Sequence, residues 1–163
     1  MKKYFSWLFF VISLVLIGCS GGGGSSQNNN SAAAVQIGTL PNGSAVYISQ
    51  NNLSVSTSQP AQSTIYLTGG SPNESYNLSF ATSQQSSGLK SDSTNPYGID
   101  VTTSPSPCVI GTVGSGASTQ CQITIASSSS TYAGTYFITP TASPLTNGGG
   151  STVLSPLTIL VSG

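Results

Sequence analysis

Residues Ser75 to Phe80 read SYNLSF, with Tyr76, Leu78 and Phe80 on every second position and polar residues between them. Successive side chains of an extended strand point to opposite faces, so this spacing gathers the three apolar groups on one side. The habit recurs in both directions along the chain. Upstream, STIYLT (Ser63 to Thr68) sets Ile65 and Leu67 on one face, Leu53 and Val55 alternate, and Ala45-Val46-Tyr47-Ile48 is a shorter first candidate. Downstream, Tyr97, Ile99 and Val101 form a weaker strand, and Cys108-Val109-Ile110 follows the breaks at Pro105 and Pro107. Cys121, Ile123 and Ile125 share a face in QCQITIA, as do Tyr136 and Ile138 in TYFIT. The last strand runs near Thr152 to Val161, with Val153, Leu157, Ile159 and Val161 on one side. Pro156 has no N–H to give to a ladder and predicts that this strand lies at an edge. Gly69-Gly70-Ser71-Pro72-Asn73 and Asn147 to Gly150 are turn chemistry, and Ala81 to Asn95 reads as a polar loop. No stretch holds a helical period for long. About eight short strands punctuated by turns predict an all-β fold, with one face of each sheet buried and the other covered by hydroxyls and amides.

Tyr132-Ala133-Gly134-Thr135-Tyr136 resembles the A-G-x-Y turn that leads into strand F of immunoglobulin-like domains. The resemblance implies an immunoglobulin-like antiparallel β-sandwich of about seven or eight strands, covering roughly Leu53 to Gly163. It makes Tyr136 the corner tyrosine, Gln120–Ala126 strand E and Ala133–Ala142 strand F. Ile138 stands where that family carries its second cysteine, and the only Trp, Trp7, precedes the domain. The family's inter-sheet disulfide is therefore expected to be missing. Another Greek-key sandwich or a jelly roll stays open on these residues.

The chain begins Met1-Lys2-Lys3, and an apolar run from Trp7 to Ile17 is broken only by Ser13. A bilayer span needs about 20 residues, so this shorter run with a basic start reads as a secretory signal. Leu16-Ile17-Gly18-Cys19 resembles the lipobox of bacterial lipoproteins. The resemblance implies cleavage between Gly18 and Cys19, a diacylglycerol on the Cys19 sulfur and acylation of the new amine. Ser20 in place of an Asp implies the outer membrane, with the periplasmic and surface faces both open. Two or three acyl chains anchor firmly where one would not, at about 0.8 kcal/mol per buried CH₂. Ser20 to Ala34 is rich in Gly, Ser and Asn and is expected to behave as a flexible coil. The expected organisation is a signal peptide over 1–18, the lipidated cysteine with its tether over 19–43, and the sandwich over 44–163.

An odd number of cysteines in an exported chain calls for an explanation. With Cys19 taken by lipid, Cys108 and Cys121 remain as a pair. Within the immunoglobulin-like scheme they would join neighbouring segments before strand E. There is no Cys-x-x-Cys, and no Arg, His or Lys stands nearby to lower a thiol pKa, so a structural disulfide is expected rather than a redox centre.

Past the signal, Lys90 faces Glu74, Asp92 and Asp100, a side-chain balance of −2, with no Arg or His. Nucleic-acid binding needs Lys and Arg to neutralise phosphates and is excluded; an anionic-lipid patch fails for the same reason. Zinc draws on His and Cys, which are absent or committed. A Ser-His-Asp arrangement is impossible, and a Ser-Lys pair has only Lys90, beside Asp92 in a polar loop. The three carboxylates show no spacing that singles out a glycosidase pair. Asp92 and Asp100 lack the D-x-D-x-D clustering of a calcium loop. The residues thus point away from an enzyme and to no cofactor or metal.

What remains is a membrane-anchored lipoprotein displaying a β-sandwich interaction module at the cell envelope or surface. Its partners would be the membrane through the lipid and an envelope protein, host protein or glycan, with Tyr66 and Tyr97 as stacking candidates. The alternative is a structural subunit of an outer-membrane or periplasmic envelope assembly, pairing by strand addition at the Pro156 edge or through a hydrophobic patch.

Overall fold

The computed structural model describes residues 33–85, 97–146 and 149–162. The expected signal peptide, the cleavage residues Gly18 and Cys19, most of the tether, and Lys90 and Asp92 lie outside them. The described chain is all-β, with eleven strands: β1 (Val35–Thr39), β2 (Ala45–Ile48), β3 (Asn52–Val55), β4 (Ala61–Thr68), β5 (Ser75–Gln84), β6 (Ile99–Ser104), β7 (Val109–Gly111), β8 (Gln120–Ser127), β9 (Gly134–Pro144), β10 (Thr152–Val153) and β11 (Leu157–Val161). No helix among the described residues is long and apolar enough to cross a membrane.

The strands form two sheets packed face to face. The first has the order β1-β2-β4-β8-β6 and the second β3-β11-β9-β5-β7, with β10 beside β9. All pairings are antiparallel except β3 with β11, which run parallel. Alternation sends Val46, Ile48, Ile65, Ile123 and Ile125 inward from the first sheet. From the second come Leu53, Val55, Tyr76, Leu78, Ile110, Tyr136, Ile138, Leu157 and Ile159. Each such side chain gains about 1.5–3 kcal/mol on burial. Ser63 and Ser127 are polar residues on inward-facing strand positions, and Ser63 has partners for its hydroxyl. The Ser63 hydroxyl donates to the Gln50 carbonyl at 2.9 Å and accepts from the Gln50 N–H at 3.0 Å. That pair of bonds fixes the connection by which the chain leaves the first sheet after β2 and joins the second at β3.

Several sequence expectations are corrected. The sandwich begins at Val35 rather than Ser44: β1 pairs with β2 from Val35↔Ile48 to Thr39↔Ala45, and Ile37 and Leu40 are buried. The supposed loop after Phe80 is strand as far as Gln84, which pairs with Tyr136. The single last strand is two, β10 and β11, with Pro156 in the break. Val153 is 69 % exposed, while Leu154 turns inward instead. β11 lies between β9 and β3, so the edge inferred from Pro156 does not exist there, and strand addition loses that site. The edges are β1, β6, β3 and β7, with the two-residue β10 paired on one side to β9.

A further correction concerns the disulfide. Cys108 and Cys121 are bonded, with Cα atoms 5.8 Å apart, but the bond does not join neighbouring segments of one sheet. Cys108 precedes β7, and its carbonyl accepts from the Leu78 N–H at 2.9 Å, which places it on the second sheet. Cys121 is the second residue of β8 in the first sheet. The disulfide therefore ties the two layers together through the core, and both cysteines are buried.

Candidate functional site

Four connections meet at one end of the sandwich, through residues 40–44, 69–74, 112–119, and 145–146 with 149–151. Each is latched to another by hydrogen bonds. In the first, Leu40 and Ser44 close a tight loop, with the Leu40 N–H on the Ser44 carbonyl at 2.8 Å. The Asn42 side-chain oxygen accepts from the Ser44 N–H at 3.0 Å, and the Asn42 carbonyl accepts from the Ser71 N–H at 3.0 Å. Fully buried Ser44 donates its hydroxyl to the Gly69 carbonyl at 3.1 Å. Gly70 makes this approach possible. Its φ is +85°, and a Cβ built there collides with Ser44 Oγ, so no residue with a side chain fits without strain.

Thr112 holds the next junction. Its N–H donates to the Glu74 carbonyl at 2.9 Å, and its hydroxyl accepts from the Glu74 N–H at 3.0 Å. The Asn73 N–H donates to the Val113 carbonyl at 3.0 Å, and the Leu145 N–H to the Ser75 carbonyl at 2.9 Å. Thr146 completes the ring by donating its hydroxyl to Glu74 Oε2 at 2.8 Å.

Inside this ring lies a cleft of about 290 Å³, lined by Pro41, Asn42, Ser71, Glu74, Tyr76, Pro144, Thr146 and Gly149. Burial raises the Tyr76 phenol above its ordinary pKa, the negative charge of Glu74 adds to the rise, and the Asn42 backbone opposes it. The phenol therefore stays protonated as a donor. Asn42 Nδ2 is buried without a hydrogen-bond partner, a costly state that a ligand acceptor would relieve. The described residues contain no Lys, Arg or His, so Glu74 has no cationic side chain among them. The cleft thus combines a carboxylate with spare acceptor capacity, a buried amide donor and two proline faces.

The residues singled out from the sequence scatter around this site. Glu74 is in it. Asp100 is on β6 opposite Ala126, toward the other end of the sandwich. Among the described residues no group of three His, Cys, Asp or Glu stands together. The Tyr136 hydroxyl donates to the Tyr132 carbonyl at 2.8 Å, also at that far end, and burial raises its pKa. Tyr97 packs edge-on against Tyr136, centroids 6.1 Å apart, as part of the sandwich. Tyr66 is on the outer face of the first sheet. Sequence reading missed Asn42, Pro144 and Thr146. Pro41-Asn42-Gly43-Ser44 is a recognisable turn, but its first three residues fell inside the expected tether.

No family model matches the chain, and no curated protein does. Among solved structures it is similar to a family 123 glycoside hydrolase from Clostridium perfringens, whose analysis concerned glycolipid glycan hydrolysis. The identity is 17 %, the TM-score 0.44, and the match covers 68 % of this chain and 22 % of that one. The expectation that the chain is not an enzyme is corrected by this finding and withdrawn, because the solved protein it is similar to is one. The match spans about a fifth of that hydrolase, and a likeness of this size assigns no activity to this chain.

Proposed function

We propose that the protein is a lipid-anchored envelope lipoprotein whose immunoglobulin-like sandwich presents the loop-end cleft as an interaction site. The observation that carries the reading is the convergence of four mutually latched connections on one preformed cleft. Strand order supports the family likeness. Read from β2, the first sheet runs as A-B-E-D and the second as A′-G-F-C, while β7, which pairs with C, follows D in the chain and so departs from that scheme. On that reading residues 69–74 are the B–C connection and Leu145 and Thr146 open the F–G connection, the places where variable domains carry recognition. A rigid scaffold with functional loops at one end is a common division of labour. The latches matter because loops ordered beforehand cost less entropy on binding. The lipobox residues Leu16 to Cys19 support the anchor, and β1 runs from Val35 toward the cleft, so the chain joins the sheet away from the site.

The test has two readouts in bacterial cells. Wild-type protein is expected in the detergent phase on phase separation, with Cys19→Ala in the aqueous phase. A photo-crosslinking residue at Ser71 or Thr146 is expected to give a discrete adduct, whereas one at Gln59, at the far end, gives none. Wild-type protein in the aqueous phase refutes the anchor. Adducts from Gln59 and none from the loops refute the interaction site.

A further inference from the structure

The outward face of the first sheet carries a different chemistry. Tyr47 on β2 and Tyr66 on β4 are direct cross-strand partners. Their rings stack with centroids 5.5 Å apart and planes 13° from parallel. Register continues the row to Gln36 on β1 and Gln120 on β8. The next row across the same face is Thr64, Gln122 and Ser104. On the same face, Thr64, Ser104, Pro105, Ser118, Gln120 and Gln122 line an open groove of about 360 Å³, within the roughly 300–1,000 Å³ of small-ligand sites.

Cross-strand aromatic pairs add about 0.2–1 kcal/mol to a sheet, which accounts for one ring against the other. It does not account for both rings being only half-buried beside a groove of amides and hydroxyls. β4 lies between β2 and β8. Tyr47 stacks on the Tyr66 ring from the β2 side, and on the β8 side the cross-strand neighbour of Tyr66 is Gln120, which lines the groove. An aromatic face is the negative pole of the ring quadrupole and attracts polarised C–H groups. Gln amides offer a donor and an acceptor together, and Ser and Thr hydroxyls do the same. No residue of either row, or of the groove, is charged.

We infer that this face binds a neutral polysaccharide. The C–H side of a sugar ring packs on the Tyr66–Tyr47 stack, and its hydroxyls exchange hydrogen bonds with Gln120, Gln122, Thr64 and Ser104. An anionic or cationic occupant would find no counter-charge in either row. The inference rests neither on the lipid anchor nor on the loop cleft.

The test passes the full-length protein, in a polyoxyethylene detergent, over beads carrying mixed-linkage β-glucan, galactomannan or dextran, beside polygalacturonate and blank beads. Retention is expected on at least one neutral glycan and is unchanged in high salt. Tyr66→Ala abolishes it. The Gln120→Ala/Gln122→Ala pair changes only exposed side chains and keeps the test meaningful should Tyr66→Ala not fold. With two hydrogen-bonding side chains lost, it weakens retention roughly tenfold. Thr146→Ala, in the loop cleft, binds as the wild type does. Absence of retention on all three neutral glycans overturns the inference, as does retention on polygalacturonate alone. So does retention indifferent to the glutamine pair, or a dimer broken by Tyr66→Ala without glycan retention, which would make the face an interface between two copies.

Discussion

The bridge between Cys108 and Cys121 spans 13 positions of sequence yet joins different sheets. Consider replacing both cysteines by alanine. By the chain-entropy relation, closing a loop of about 14 residues removes about 10 cal/mol/K from the unfolded chain, or about 3 kcal/mol at room temperature. Both side chains are buried, so losing two sulfurs from the core adds a smaller cost of the same sign. For a domain of this size, 3 kcal/mol corresponds to roughly 10 °C in melting temperature. Urea denaturation and a thermal melt, with thiol titration confirming that the wild-type pair is oxidised, measure both numbers. The double variant is expected to keep the far-ultraviolet signature of the sheets and unfold at lower urea. A loss below about 1 kcal/mol would refute the reasoning, because the entropy of closing a loop of this length is about three times larger.

Gly70→Ala is expected to destabilise by at least about 1–3 kcal/mol, from left-handed backbone strain and the collision with Ser44 Oγ; a denaturation curve matching wild type would contradict the latch. Tyr136→Phe removes the bond to the Tyr132 carbonyl and should cost about 0.5–1.5 kcal/mol, read from the urea midpoint. Tyr76 and Tyr136 hold their protons more tightly when folded. Above about pH 10 the unfolded chain releases these protons first and binds fewer, so stability is full below that pH and falls as pH rises through the folded values. Urea midpoints between about pH 8 and 11 should show this fall, and Tyr76→Phe should make it shallower. Glu74→Gln should lower the Tyr76 pKa in an ultraviolet titration without restoring it fully, since burial is the larger cause.

Alternation exposed most of the fold because strands half-buried in a sandwich must repeat every two residues. It failed where a partner distant in sequence decided the matter. β1 carries a register shift between Gln36 and Gly38, so its short pattern breaks and merges with the polar run before it. Gly38 leaves room for Leu154, whose Cδ2 would lie 2.6 Å from a Cβ there. The Ser155 N–H donates to the Ile37 carbonyl at 2.7 Å. The first strand and the break at Pro156 cover each other, and neither is legible without its mate. The site suffered the same way. Turn residues at 41–44 and 69–73 announce turns, but nothing local says that Asn42 meets Ser71 or that Thr146 reaches Glu74.

The loop between the bonded cysteines holds Val113, which is 83 % exposed. A protease cutting there would sever the backbone inside the ring that the disulfide closes. The two fragments would stay one molecule, with β1–β7 on one and β8–β11 on the other, each still seated in both sheets. Such a nicked form would migrate intact on a non-reducing gel and fall apart only when reduced. Oxidising surroundings thus make that exposed loop a place where the chain tolerates a cut.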